Sequence, residues 1–196
     1  PMAIQKSKTA PIRHQRTRVQ PEKRGFQPPR TGVLGTILTD LQFDEETRQE
    51  LKDLNLHLED QIEEIAEVAS LHARKVVQEA EGFVPARPLE SARAPRPSIA
   101  RLRRRVAVQW LKATLDGDFD TYFCKQLRDS WMPILLSDPV EGRPAPVLIL
   151  AFLDYMEGFL TGRLMDGIAE NFVPAARKTH GLHVALEIQR RILGVN

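Results

Sequence analysis

The sequence predicts an all-helical domain behind a basic N-terminal tail. Three observations carry that prediction. Apolar residues beyond position 44 recur every three or four positions, the spacing of one helical face, and no stretch makes a convincing period-two strand. Helix starts and stops punctuate the pattern: Asp44, Ser98, Pro146 and Pro174 at starts, Gly82 and Gly117 at ends. Residues 1–33, by contrast, hold almost no large apolar side chains, and Pro11, Pro21, Pro28 and Pro29 interrupt them.

The tail is the most charged part of the chain. Lys6, Lys8, Arg13, Arg16, Arg18, Lys23, Arg24 and Arg30 stand against Glu22 alone, a net of +7 in residues 1–33, while the remaining 163 residues hold 20 bases and 25 acids, a net of −5. A segment this polar buries too little surface to offset its ordering entropy, so it is expected to be disordered when free. Phe26 and Val33 are its candidate anchors to the body or to a partner. The block of like charge reads either as a binding arm for an anionic surface (nucleic acid, acidic lipid or an acidic protein groove) or as a solubilising tail. Sequence-specific reading of nucleic acid is not supported, because the bases are not interleaved with stacking aromatics. Pro1 ahead of Met2 is expected to be a remnant of tag removal.

Residues 34–196 form the expected helical domain. Asp44 is a suitable N-cap, with Glu45 and Glu46 in the first turn to complement the helix dipole. From there Leu51, Leu54, Leu58, Ile62, Ile65, Ala69, His72 and Val76 trace one face to about Ala80, long enough for two helices broken near Asn55–Leu58. Glu59, Asp60, Glu63, Glu64 and Glu67 read as a solvated acidic face, since a di-iron bundle would need Glu-x-x-His pairs on two helices. His72 reads as a packed or boundary histidine. A connection rich in proline and arginine follows from Phe83 to Pro97.

Ser98 is expected to cap a helix running from Ile99 to about Leu115, with basic first turns and then Trp110 and Leu111. Gly117 suits its C′ position, and Asp118 or Asp120 the cap of the next helix, which carries Tyr122, Cys124, Leu127 and Trp131 until Pro133 stops or kinks it. Cys124 is the single cysteine, so no intrachain disulfide forms; a buried thiol in a reducing, cytoplasmic setting is expected. Pro146 suits the first position of the most apolar helix, which runs to about Asp166 and is apolar on more than one face. Gly158 and Gly162 on it permit close approach of another helix. Pro174 is expected to open the last helix, to about Leu193, where His180 and His183 share a side without a third metal ligand in view. No run is apolar enough to span a membrane, and no nucleophile and base stand together, so no enzymatic role is expected.

The stretch RLRRRVAVQWLKATLDGDFDTYFCKQLRDSW, Arg101 to Trp131, followed by two long helices, resembles the sensor globins and protoglobins. The resemblance covers roughly four-fifths of a chain of single-domain length and implies a globin fold. In that family the helix after the turn carries the histidine that holds haem iron. Here the corresponding residues are Ser130, Trp131, Met132, Pro133 and Ile134, and no histidine lies between His72 and His180. The helix that bears a distal tyrosine in the family reads AEVASLHAR. Trp110 and Trp131 are therefore expected to fill the pocket, and no cofactor is expected, haem included; were haem bound, Met132 would be its candidate ligand. The resemblance also implies a homodimer through the last two helices, with Phe152, Tyr155, Gly158, Phe159, Gly162, Leu182, Leu186 and Ile192 as candidate contacts. The resulting expectation is a haem-less, non-enzymatic regulatory or adaptor protein of bacterial signalling that binds a macromolecule through its tail. The alternatives are a haem sensor with an unusual ligand and a nucleic-acid-binding accessory protein using the tail.

Overall fold

A computed structural model describes residues 32–81, 97–136, 144–166 and 172–195. Every regular element among them is helical: α1 (Val33–Asp40), α2 (Glu45–Leu58), a 3-10 turn (Glu59–Gln61), α3 (Ile62–Glu81), α4 (Pro97–Asp116), α5 (Thr121–Gln126), a π turn (Leu127–Trp131), α6 (Met132–Leu136), α7 (Pro146–Asp166) and α8 (Phe172–Leu193). The eight tail cations and Phe26 lie outside the described residues, as does the connection from Gly82 to Arg96.

Local chemistry places most boundaries where the sequence suggests. The Asp44 carboxylate accepts from the Thr47 amide at 2.9 Å and starts α2. The hydrogen bond to that amide leads the effects that hold its carboxyl below the usual range. Asp120, and not Asp118, caps α5, accepting from the Phe123 amide at 2.7 Å; Asp118 instead pairs with Arg48 of α2. Gly117 closes α4 with φ +67.

Four boundaries differ from expectation. Val33 belongs to α1 and not to the tail; α1 is a short helix that the sequence reading leaves without an element, and it packs on α8. α4 begins at Pro97, so Ser98 is its second residue and not its cap; proline suits that first position because a first-turn N–H needs no intrahelical partner. α8 begins at Phe172, which places Pro174 within the first turn, where it is equally tolerated. Pro133 neither stops nor sharply breaks its helix. Its ring would crowd the carbonyl four residues back, at Asp129, and the π turn that ends at Trp131 opens the backbone at that point before α6 resumes.

One core runs through all the helices. α3 packs on α4 and α7, α2 on α8 and α4, α7 on α8, and the α5–α6 limb closes against α4 and α3. At its centre Trp110 of α4 is fully buried against Phe152 of α7, ring centroids 5.3 Å apart. A second aromatic string, Phe43–Phe119–Phe123–Trp131, ties the start of α2 to the turn after α4 and to the π turn, with centroid separations of 5.1, 4.9 and 5.4 Å. Edge-on geometry throughout that string suits the ring quadrupoles.

Gly117 joins these parts in little space. A β-carbon added there would meet Arg48 Cγ at 3.1 Å and Leu51 Cδ1 at 3.3 Å, in a left-handed conformation that L side chains rarely adopt. Gly117→Ala is expected to lower stability by about 1–3 kcal/mol, read as a fall in urea midpoint with unchanged slope.

Candidate functional site

The interior beside the α5–α6 limb is built entirely from side chains. Phe123, Leu127, Trp131, Met132, Leu135 and Leu136 all face inward, with Trp131 6% and Met132 1% exposed. These side chains belong to the one core cluster that the helices share. Trp110 sits in the same core, and its indole Nε1 donates to Gln189 Oε1 of α8 at 2.7 Å. Gln189 Nε2 in turn donates to Thr114 Oγ1 at 3.1 Å, and that hydroxyl donates to the Trp110 carbonyl at 2.8 Å. This closed polar group has every member buried and partnered, as a buried network requires. Sequence reasoning missed Gln189. The available signal was its place in the apolar stripe of α8, three residues from both Leu186 and Ile192.

The π turn is also tied to the end of α8. Arg128 Nε and Nη2 donate to the Ile192 carbonyl at 2.9 and 2.6 Å, satisfying a group that the helix end leaves without an intrahelical partner. Cys124 is half-buried on this limb, and burial pushes its thiol above the usual range, with Arg128 opposing only in part. That is the chemistry of an unreactive thiol.

The outer side of α7 is different. Val147, Ala151, Tyr155, Gly158, Gly162 and Met165 are exposed at helical spacing, with Phe159 half-buried beside them. A β-carbon added at Gly158 or Gly162 meets nothing within 4 Å. α7 is thus apolar toward the core and toward solvent alike. His72 of α3 stacks on Tyr155, centroids 3.4 Å apart and planes within 10°. Burial pushes its imidazole below the usual value, Lys75 adding to the effect, and no protein group reaches its Nε2 among the described residues. The Arg163 guanidinium lies 5.4 Å over the Phe159 ring and bonds Glu64 of α3 and Gln61 of the 3-10 turn.

The same surface corrects part of the expected dimer contact. Phe152, Leu182 and Leu186 are 0% exposed and Ile192 is 3% exposed within the single chain, so these four serve the chain's own core. Only Tyr155, Gly158, Phe159 and Gly162 of that set remain available to a second chain.

Along the α7–α8 edge runs an ionic cluster that the sequence reading did not find. Arg190, buried, holds Asp154 Oδ1 at 2.7 Å and Glu157 Oε2 at 2.5 Å. His183 Nδ1 lies 2.6 Å from Glu157 Oε1, while His180 Nδ1 lies 3.3 Å from Glu50 Oε2 of α2. The two histidines therefore point to carboxylates on different helices. Among the described residues no group of three or more His, Cys, Asp or Glu side chains is arranged to hold a metal ion. No described helix is long and apolar enough to cross a membrane.

No family model matches the chain, and no curated protein or solved structure matches it either.

The ionic cluster sets a pH dependence. Burial raises the pKa of Glu157, but hydrogen bonds and charge from Arg190 and His183 outweigh it and hold the carboxyl below its ordinary 4.5. A depressed carboxylate contributes stability that is fully present above about 4.5 and lost as pH falls through the lower folded value. Wild-type urea midpoints are expected to drop between pH 5 and 3 more steeply than those of Glu157→Gln; equal slopes would remove Glu157 from the account.

Proposed function

We propose that this chain is a non-enzymatic, haem-less globin-like regulatory or adaptor protein that forms a homodimer and binds a macromolecular partner through its basic tail, in the setting of bacterial signalling in the cytoplasm. The carrying observation is the inward packing of the α5–α6 limb. Where the sensor-globin resemblance implies an iron ligand, Trp131 and Met132 are packed into the core. The helix order supports the reading as well, with a capped GDFD turn between α4 and α5 and two long helices at the end. A globin without haem needs its pocket closed by side chains, and the large buried residues here serve that need.

Addition of haemin to the purified protein is expected to give no saturable Soret band. A sharp band lost in Met132→Ala would overturn the reading and favour a haem sensor with methionine ligation.

The exposure of Tyr155, Gly158 and Gly162 supports α7, and not α8, as the dimer face. In an antiparallel pairing of two α7 helices centred between Gly158 and Phe159, Tyr155 faces Gly162 of the second copy, and Asp154 faces its Arg163. A ring thus meets a glycine and an acid meets a base, the self-complementarity that a two-fold contact needs. Gly158 and Gly162 let the backbones approach. Gly162→Glu adds a side chain in open space on a helix, so the fold tolerates it while the contact does not. Sedimentation equilibrium is expected to give a dimer for the wild type and a monomer for the variant at equal helicity; a monomeric wild type would remove this part of the proposal.

A further inference from the structure

The negative charge of the body is concentrated in one segment. Residues 44–67 hold ten carboxylates against Arg48 and Lys52, a net of −8, close to the inverse of the +7 tail. Within α2 and the start of α3 most of these acids already have work in the fold. Asp44 caps α2. Glu45 pairs with Arg48 and Glu46 with Arg177. Glu50 meets His180, Glu63 and Glu67 meet Arg104, and Glu64 meets Arg163. Asp53, Glu59 and Asp60 are left exposed at the corner where α2 passes through the 3-10 turn into α3, with no cation in salt-bridge distance among the described residues. Between them stands Leu56, 72% exposed. Asp53 accepts from the neutral Gln49 Nε2 at 2.8 Å, so an exposed leucine lies among three carboxylates that have no cation beside them among the described residues, which suits a basic segment that also carries an apolar anchor.

The tail contains such a segment. Residues 12–19 read IRHQRTRV, three arginines bounded by two β-branched apolar residues. Length permits the contact. The chain from Val33 to Leu56 runs through α1, a turn and most of α2, at most about 45 Å end to end at ~1.5 Å per helical and ~3.5 Å per extended residue. The fourteen residues from Val19 to Val33 span up to about 48 Å when extended. An extended linker can therefore reach the corner along a direct path.

We propose that residues 12–19 dock on the chain's own α2–α3 corner, Arg13, Arg16 and Arg18 against Asp53, Glu59 and Asp60, with Ile12 or Val19 over Leu56. The body thereby occupies its own binding arm. A polyanion or an acidic protein surface engages the tail only by displacing it from the corner, which raises the threshold for weak anionic partners and favours densely charged ones. The inference goes beyond the proposed function and is separable from it: a Soret band would overturn that reading and leave this contact standing.

The test uses the full chain with a nitroxide on Gln15→Cys in a Cys124→Ser background and reads amide signals of the isotope-labelled protein. Amides of residues 53–60 are expected to lose most of their intensity at low salt. They should recover at about 0.5 M salt, where exposed charges are screened within a few ångströms. They should recover likewise in the Asp53→Asn, Glu59→Gln, Asp60→Asn variant, whose changes are all on exposed side chains. Undiminished signals at the corner, broadening centred on another face, or broadening that survives both salt and the charge-neutral variant would each overturn the proposal. Mixing spin-labelled chains with separate isotope-labelled chains decides the last case: broadening of equal size there assigns the contact to a second copy's tail and overturns the internal one.

Discussion

The hydrogen bond from Trp110 to Gln189 is the constraint around which the helices are arranged. An indole buried in the middle of α4 must give its N–H an acceptor, because an unpaired buried donor costs about 1–3 kcal/mol. Gln189 on α8 supplies it and passes its own amide hydrogen to Thr114, one turn along α4. α4 and α8 are thereby fixed in register, and α7 is fixed with them through Phe152 on the Trp110 ring. The remaining helices pack around this triple contact. α2 lies across α8 and α4, α3 lies on α4 and α7, and the α5–α6 limb covers the side that is left.

That limb carries the functional argument, and its geometry follows from two residues. Pro133 denies the helix a regular hydrogen bond at Asp129, and the π turn absorbs the misfit. The extra residue in that turn leaves Leu127, Trp131, Met132 and Leu135 all facing the core. Arg128, on the opposite side, reaches the Ile192 carbonyl and holds the limb to the end of α8. The limb is thus packed inward along its length and tied outward at one point.

How much of this was legible in the sequence depended on whether the signal was periodic. The helices α2, α3, α4, α7 and α8 could be read from apolar spacing, and Asp44, Asp120 and Gly117 from the local chemistry of caps. α1 was not read, because eight residues give barely two turns of pattern and its stability comes from packing on α8. The π turn was not read, because Pro133 signals a disturbance without saying how the backbone accommodates it. The dimer residues were misassigned for a related reason. Leu182 and Leu186 lie on an apolar face of α8, and sequence gives the face without saying whether the chain itself or a second chain covers it. Gln189 and Arg190 were missed because their partners stand more than thirty residues away, on α4 and α7.

α7 and α8 differ in how much of their apolar surface the described part of the chain covers. α8 spends its apolar side inside the chain and presents Arg177, His180, His183 and Arg191 outward. α7 is apolar on both sides, and the described residues cover only one of them fully, with His72 stacked on Tyr155 of the other. The exposed Val147, Ala151 and Met165 leave apolar area in water, at about 25 cal/mol per Å². The fold itself does not need the stripe, because core packing uses the other face. Two glycines in the middle of a helix add a further cost of about 1 kcal/mol each in helix propensity. The polar borders of the stripe are nonetheless well ordered, with Arg163 held by Glu64 on one side and Asp154 by Arg190 on the other. Among the described residues, α7 is thus the helix that keeps an apolar face open between fixed charged borders.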